Sequence, residues 1–234
     1  MLSIYKRELS AYFGTPIGYI FCAVFLMLSG AVFSYTTLFS MQADVTSYFT
    51  YMLVLLVVLV PLLTMKLFSE ERKQRTEQLL LTAPVSLYGM VLGKFLAAYT
   101  LFAACTLVSF SSFFILYLYA EVKTAVLFGN LLAILLLGMA FIAIGLFVSA
   151  LTENQLAAAI GTVAILLFLM VISLLNSIIP VYWIRFVLAS ISVYARFQNF
   201  TQGVFDLAAL FYYLTISAVF LFLTVRVFDK RRWG

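Results

Sequence analysis

Histidine is absent from the 234 residues, and charged residues make up only 10% of them. Without histidine, the chain lacks the commonest general base and metal ligand of proteins. The two cysteines, Cys22 and Cys105, each lie in the middle of an apolar run. We interpret them as small buried residues rather than as a disulfide or a metal pair. The phosphate-binding pattern G-x-x-x-x-G-K-[ST] is also missing, so an enzyme that binds ATP by that loop is excluded.

The composition indicates a membrane protein. Hydrophobic residues make up 65% of the chain and the mean hydropathy is +1.15, whereas a soluble domain carries about 25% charged residues. We therefore predict an all-α polytopic membrane protein with a single transmembrane domain over residues 1–234. The net charge of +5 reports membrane topology in such a chain, and we expect no nucleic-acid partner.

Six apolar runs are long enough to cross a hydrocarbon core of about 30 Å at about 1.5 Å per residue. We place the six transmembrane helices near residues 17–39, 47–67, 88–118, 125–150, 156–178 and 207–228.

The basic residues predict the orientation of the chain. If the N-terminus is inside, all but three of the 14 lysines and arginines fall on the inner side, the exceptions being Lys123, Arg185 and Arg196. This positive-inside bias, with an even number of spans, predicts that both termini are cytoplasmic.

Two regions outside the spans have a membrane-interface character. Residues 1–14 fit an amphipathic interfacial helix, with Leu2, Leu9 and Phe13 toward lipid and Lys6, Arg7 and Glu8 toward water. Residues 179–206 are too apolar for a free loop and too interrupted for a span. We interpret them as one or two short re-entrant or interfacial helices on the outer side.

The inner segment 68–86, FSEERKQRTEQLLLTAPVS, is strongly charged in an otherwise apolar chain. Ser69 can cap a short helix that carries Glu70 and Glu71 in its first turn. Local spacing predicts the ion pairs Glu71–Arg75 and Glu70–Lys73. Three leucines, 79–81, then form an apolar tip and Pro84 ends the segment, with Ser86 as a cap for the third span. The alternative is a solvated loop that only fixes topology.

Charge is nearly absent from the span centres. Lys66, Lys94 and Arg226 lie near the inner ends of spans, where their side chains can snorkel to water. This pattern disfavours ion-driven transport, which needs ionisable groups within the membrane. Pro61 is expected to kink the second span. Polar residues late in the fifth span, Asn176 and Ser177, fit either helix–helix hydrogen bonding or a weakly polar pathway.

The stretch PLLTMKLFSEERKQRTEQLLLTAPVS resembles the junction of the second and third spans in ABC-2 (type V exporter-like) permeases of ABC transporters. It is most similar to the short permeases related to the gliding-motility transporter permease. The residues that match the family pattern are Pro61, Leu63, Thr64, Met65, Lys66, Phe68, Glu70, Glu71, Thr76, Leu80, Leu81 and Pro84. Arg75 stands where the family usually has glycine, and Gln78 where it has glutamate. SALTENQ and RFQNFTQGVFDL, before the fifth and sixth spans, agree with the family as well.

The resemblance implies a role for the charged segment as a cytoplasmic coupling helix. It would seat in a groove of a separate ATP-binding subunit, with residues 1–14 as a connecting helix beside it. The residues that would form the contact are Glu70, Glu71, Arg72, Arg75, Thr76, Leu80, Leu81 and Pro84. The family also places the second and fifth spans at the dimer axis, which makes Pro61, Asn176 and Ser177 the pathway candidates.

The implied assembly has two ATPase subunits and two permeases, the second permease being another copy or a paralogue, in a bacterial inner membrane. ATP and Mg²⁺ would be bound by the ATPase, so this chain would hold no cofactor and catalyse no reaction itself. We therefore expect the permease subunit of an ATP-driven exporter with membrane lipid around it. The alternatives are an ABC complex that transmits mechanical force to an outside partner without moving a substrate, and a scaffold unrelated to ABC transporters.

Overall fold

The computed structural model describes residues 2–40, 45–76, 86–119, 124–178, 192–201 and 206–233. Within these ranges all the regular structure is helical, which confirms the predicted all-α class. The helices are α1 (Leu2–Gly14), α2 (Pro16–Phe33), a π-helix (Ser34–Phe39), α3 (Val45–Thr64), α4 (Ser69–Lys73), α5 (Leu87–Phe110), α6 (Ser112–Tyr119), α7 (Thr124–Leu151), α8 (Gln155–Ile178), α9 (Val193–Thr201) and α10 (Leu207–Trp233).

Six helical segments of the described chain are long and apolar enough to cross a membrane, as predicted. They are Pro16–Phe39, Val45–Lys73, Leu87–Leu116, Thr124–Leu151, Gln155–Ser173 and Leu207–Arg232. The first contains α2 and the π-helix, and the second contains α3 and α4. The third contains α5 and most of α6, which meet at a break beside Ser111.

The second and fourth spans form the centre of the bundle. They are the two most buried spans, and α7 packs against α3, α5, α8, α9 and α10. The backbones of α3 and α7 approach closely at Gly145, where an added Cβ would lie 2.2 Å from Thr64 Oγ1. Only a residue without a side chain fits this crossing, as is common where membrane helices pack tightly.

The third span begins where the sequence predicts. Ser86 Oγ accepts a hydrogen bond from the amide of Gly89 at 3.2 Å, so Ser86 is the N-cap of α5. Farther along α5, the sulfur of Cys105 lies 3.2 Å from that of Cys22 on α2, and both thiols are free. Their juxtaposition was not predicted, because they are far apart in sequence and each is an ordinary residue of its own apolar run.

Helix α1 covers the range predicted for the N-terminal helix and packs against α2 and α5. Leu2 and Phe13 are exposed, as expected for a lipid-facing side. Glu8, however, does not face water, because its carboxylate contacts a lysine of α5. The hydroxyl of Tyr12 donates to the carbonyl of Leu63 on α3 at 3.3 Å. Burial raises the pKa of Tyr12 above its ordinary range, so the hydroxyl stays a neutral donor.

On the other side of the bundle, the described part of region 179–206 contains the short helix α9. Phe197 and Phe200 are fully buried, and the hydroxyl of Tyr213 on α10 donates to the carbonyl of Val193 at 2.9 Å. A short packed helix was predicted here, and its position relative to the membrane remains a prediction. Residues 179–191 and 202–205 lie outside the described residues.

Candidate functional site

The charged segment begins with the short helix α4, which follows a turn after α3. Ser149, at the C-terminal end of α7, accepts hydrogen bonds from the amides of Phe68 and Ser69, both at 3.1 Å. It also donates to the carbonyl of Met65 at 3.2 Å. These contacts satisfy amides at the start of α4 that have no partner within the helix. The prediction that Ser69 caps this helix is therefore wrong, because the Ser69 hydroxyl donates backward to Met65 and a serine of the fourth span acts as the cap.

The backbone conformation at the end of α4 gives a reason for glycine at position 75, where the family that the chain resembles usually has glycine and this chain has Arg75. Arg75 has a φ of 58°, in the left-handed region that favours glycine. Its amide donates to the carbonyl of Arg72, and the amide of Thr76 donates to the carbonyl of Glu71. These two bonds are the Schellman pattern of a helix C-terminus, in which the residue after the cap is left-handed. Arg75 takes this conformation despite its side chain.

A lysine of the third span holds α4 in place. The Nζ of Lys94 lies 2.8 Å from Glu71 Oε1, 3.2 Å from Glu8 Oε1 and 2.8 Å from the carbonyl of Leu67. Lys94 is only 1% exposed, so the prediction that it snorkels to water is wrong. Its charge is balanced by carboxylates on α1 and α4, and this balance is what makes burial of the ammonium tolerable.

Arg7 completes this ionic cluster, which comprises Arg7, Glu8, Glu71 and Lys94. Its guanidinium lies 2.6 Å from Glu8 and 3.4 Å from Glu71. The hydrogen bond with Glu8 raises the pKa of Arg7 above its ordinary value, so its positive charge is secure. The cluster joins three elements that are distant in sequence: α1, α4 and α5.

The predicted local pairs along the segment are not those that form. The described ion pairs of Glu71 are with Lys94 and Arg7, because α4 ends at Lys73 and the turn at Arg75 breaks the i, i+4 register. Glu70 accepts a hydrogen bond from Gln74 at 3.4 Å instead of pairing with Lys73.

The other side of α4 is tied to the inner turn between the fourth and fifth spans. Arg72 contacts Glu153 at 2.9 Å and donates to the carbonyl of Leu151 at 2.9 Å. Arg231, near the end of α10, donates to the carbonyl of Ala150 at 2.6 Å. The arginine bonds satisfy carbonyls at the C-terminus of α7 and place positive charge where a helix dipole favours it.

A cavity of about 430 Å³, which we call the inner cavity, opens between α1, the start of α2 and the junction of the second and third spans. Its ionisable lining residues are Arg7, Glu8, Lys66, Glu70, Glu71 and Lys94. The second carboxylate oxygen of Glu71, Oε2, is buried and has no hydrogen-bond partner among the described residues.

The predicted site residues fall into two groups. The structure places Glu70, Glu71, Arg72, Arg75 and Thr76 on or directly after α4. Leu80, Leu81 and Pro84 lie outside the described residues, so the apolar tip stays a prediction.

The pathway candidates are not brought together by any described contact. Pro61 is buried within α3, and the positions of Asn176 and Ser177 fall in the last turn of α8. Their role in a pathway stays a prediction.

The sequence did not predict Ser149 and Lys94 as residues of the site. It also did not predict that Glu8 pairs with Lys94. The signal for Lys94 was a single lysine in an apolar span. A side chain that snorkels to water explains such a lysine as well as a buried ion pair does. Ser149 belongs to the stretch SALTENQ, which agrees with the family, but its local sequence does not show that it bonds outside its own helix.

The described contacts tie α4 to several other elements of the bundle. Within the described residues, no group of three or more histidine, cysteine, aspartate or glutamate side chains could hold a metal ion. Instead, α4 is bonded at its start to α7, along one side to α5 and α1, and along the other to the turn before α8. A displacement of α4 therefore moves groups on several spans together.

Comparison with known proteins identifies a family for the chain. The profile of the ABC-2 family transporter protein matches residues 23–233, nearly the whole chain. No curated protein matches it. The match includes most of the first span, the other five spans and the charged segment between the second and third. The chain is a multi-pass membrane protein that belongs to the ABC-2 family of transporter proteins.

Proposed function

We propose that this chain is the permease subunit of an ATP-driven exporter, and that a separate ATP-binding subunit drives it through the segment 68–86. Family membership supports the transporter role. The observation that carries the coupling role is the set of bonds around α4, which links a short inner helix to the spans.

The first part of the force path runs from α4 to the centre of the bundle. Ser149 holds the start of α4, and it belongs to α7, one of the two most buried spans. Arg72 holds the turn that leads into α8 through Glu153 and the carbonyl of Leu151. A push on α4 from the inner side is thus delivered to the fourth span and to the start of the fifth.

The second part runs through the ionic cluster. Glu71 is held by Lys94 of α5 and by Arg7 of α1. The N-terminal helix and the third span would therefore follow α4 when the ATPase closes. Buried ion pairs are sensitive to misplacement, because separating the partners leaves a charge in a medium of low dielectric constant.

The proposed complex contains two ATPase subunits and two permeases, either identical or paralogous, in a bacterial inner membrane with both termini in the cytoplasm. ATP and Mg²⁺ would be held by the ATPase. The positive-inside bias supports this orientation, and the missing phosphate-binding loop supports a separate source of energy. Pro61, Asn176 and Ser177 are the proposed pathway positions at the dimer axis.

The test is gentle extraction of the tagged chain from its native membrane, followed by identification of the proteins that co-purify. We expect an ATP-binding subunit in roughly equal amount. The double variant Leu80→Asp, Leu81→Asp should lower its recovery more than tenfold, since each buried leucine contributes about 1.5–3 kcal/mol. Leu38→Asp is the control. Leu38 is an exposed leucine near the C-terminal end of the first span and is not part of the proposed contact. Unchanged recovery in the double variant, with normal membrane insertion, would contradict the proposed contact.

A further inference from the structure

The inner cavity has the size of a ligand site. Its volume of about 430 Å³ falls within the range of about 300–1,000 Å³ typical of pockets that bind small molecules. One wall comes from the second span and α4, where Leu63, Lys66, Leu67, Glu70, Glu71 and Gln74 recur at intervals of three or four residues. These residues come from the end of α3, the turn that follows it and α4 with its C-cap, and they give this wall both apolar and charged side chains.

The charges that line the inner cavity balance. Three are positive and three are negative, so the cavity offers no net attraction for a simple anion or cation. The four residues of the ionic cluster already neutralise one another through Glu71 Oε1 and Glu8 Oε1. Lys66 takes part in no described ion pair, and Glu70 accepts only a long hydrogen bond of 3.4 Å. One ammonium and one carboxylate therefore remain to meet a ligand.

Glu71 adds a specific requirement. Its Oε2 atom is buried without a described hydrogen-bond partner, although Oε1 has two cationic neighbours. A buried carboxylate oxygen without a donor is costly, because it has lost its hydrogen bonds to water without replacement. The occupant that relieves this cost must supply an N–H or O–H donor beside Glu70 and Glu71.

The inner cavity also has apolar lining residues. They include Ile17, Leu63 and Leu67, and Tyr12 lies beside them in the lining. The adjoining helix α1 exposes Leu2 and Phe13, as helices at a membrane interface do. The mixed lining suits a ligand that has both a charged and an apolar part.

We propose that the inner cavity binds the head group of a zwitterionic phospholipid with a primary ammonium, namely phosphatidylethanolamine. The phosphate faces Lys66, and the ammonium donates to Glu70 and to the unpartnered oxygen of Glu71. The acyl chains begin over Ile17 and Leu63. The balanced charges of the cavity give an anionic lipid no net attraction, and a choline head group has no N–H to donate.

Lipid retention by the purified full chain tests the proposal. The chain is extracted without any ATPase and equilibrated with equal amounts of phosphatidylethanolamine, phosphatidylcholine and phosphatidylglycerol, and bound lipids are counted by native mass spectrometry. We expect about tenfold enrichment of phosphatidylethanolamine, equivalent to about 1.4 kcal/mol, the scale of one charge-assisted hydrogen bond. Equal retention of phosphatidylcholine would overturn the donor requirement. Preferred retention of phosphatidylglycerol would overturn the zwitterionic assignment.

Variants locate the lipid. Lys66→Gln and Glu70→Gln should each lower phosphatidylethanolamine retention several-fold, whereas Lys73→Gln should not, because Lys73 is exposed and does not line the inner cavity. Ala11→Trp adds bulk at the cavity wall and should exclude the lipid without removing any charge. Normal elution in gel filtration shows that each variant is folded. If retention survives in the folded Lys66→Gln, Glu70→Gln and Ala11→Trp chains, the inner cavity is not the site.

A final experiment distinguishes binding of a membrane lipid from binding of a soluble compound with the same head group. Glycerophosphoethanolamine at millimolar concentration should not raise the unfolding temperature of the detergent-solubilised chain, because it cannot cover the apolar wall. Phosphatidylethanolamine should raise it. Equal stabilisation by both would replace the lipid with a soluble aminoalkyl phosphate. These measurements need no ATP-binding partner, so their outcome is independent of the coupling proposal.

Discussion

The ammonium of Lys94 on the third span lies 2.8 Å from the carboxylate of Glu71 on α4, and the lysine is almost wholly buried. The contact joins a transmembrane helix to the inner helix on which we propose the ATPase acts. It also restricts how the charged segment can move, because every described ion pair of Lys94 and Glu71 lies within the ionic cluster.

Lys94→Met should destabilise the chain by about 3–5 kcal/mol, because Glu8 and Glu71 are left close together with only Arg7 to balance them. Adding Glu71→Gln should restore part of the loss. The measurement is the unfolding temperature of a fluorescently tagged chain in detergent. Lys73→Met, at an exposed position of α4, is the matched control and should change little. A Lys94→Met chain as stable as the control would show that the ionic cluster contributes nothing.

Arg75→Gly should stabilise the end of α4 by about 0.5–1 kcal/mol. Glycine removes the cost of a left-handed side chain at φ 58°, partly offset by the greater freedom of glycine when unfolded. Arg75→Ala retains a Cβ and should give no such gain. Hydrogen exchange of the α4 amides reports the effect locally. If alanine stabilises as much as glycine, the guanidinium rather than the backbone is the cause.

Gly145→Ala should destabilise the bundle by about 1–3 kcal/mol, the usual cost of overpacking. Its Cβ would lie 2.2 Å from Thr64 Oγ1 at the crossing of α3 and α7. Gly30→Ala is the control, because nothing lies within 4 Å of a Cβ there. Thr64→Ala in the Gly145→Ala background should recover part of the loss. The stability of each variant is read from its unfolding temperature. Equal destabilisation by Gly30→Ala and Gly145→Ala would contradict the close approach of α3 and α7 at Gly145.

Asp206 should make stability depend on pH at the N-terminal end of α10. Its carboxylate accepts from Asn199 at 2.7 Å and from the amides of Ala208 and Ala209 at 2.8 and 3.3 Å. The Asn199 bond is the largest of the effects that lower the pKa of Asp206. A lowered pKa means that the stabilisation is complete above the pKa of the unfolded chain and is lost as pH falls through that of the folded chain.

Asp206→Asn retains an oxygen that can cap α10 but does not titrate, so it should remove this acid-dependent loss while largely preserving stability near neutral pH. Unfolding temperatures of both chains over an acidic pH series provide the comparison. Parallel curves for the two chains would contradict a role for Asp206.

The spans could be predicted because long apolar runs have few alternatives in a chain of this composition. The cap of α5 by Ser86 was equally readable, since donor and acceptor lie within one turn. In contrast, the partners of Glu71 are Lys94 and Arg7, which local spacing cannot identify. The i, i+4 rule proposed Arg75 instead, and it failed because α4 is too short to contain that pair.

The family pattern held information that residue spacing did not. A glycine at the position of Arg75 is typical of a helix C-terminus in the left-handed conformation, and Arg75 has that conformation here. The left-handed backbone at Arg75 is thus a physical reason for a glycine at this position. Ser149 begins SALTENQ, which agrees with the family, but that agreement does not identify its partners, because they depend on the fold that brings α7 beside α4.

The cap that Ser149 provides also sets an order of assembly. A helix of five residues cannot form by itself, since isolated helices shorter than about 12–15 residues are marginal in water. The amides at the start of α4 find their acceptor only after the fourth span has been synthesised and inserted beside the second. The inner surface presented by α4 therefore matures late, and a chain truncated or misinserted before the fourth span displays no formed helix there for a partner to engage.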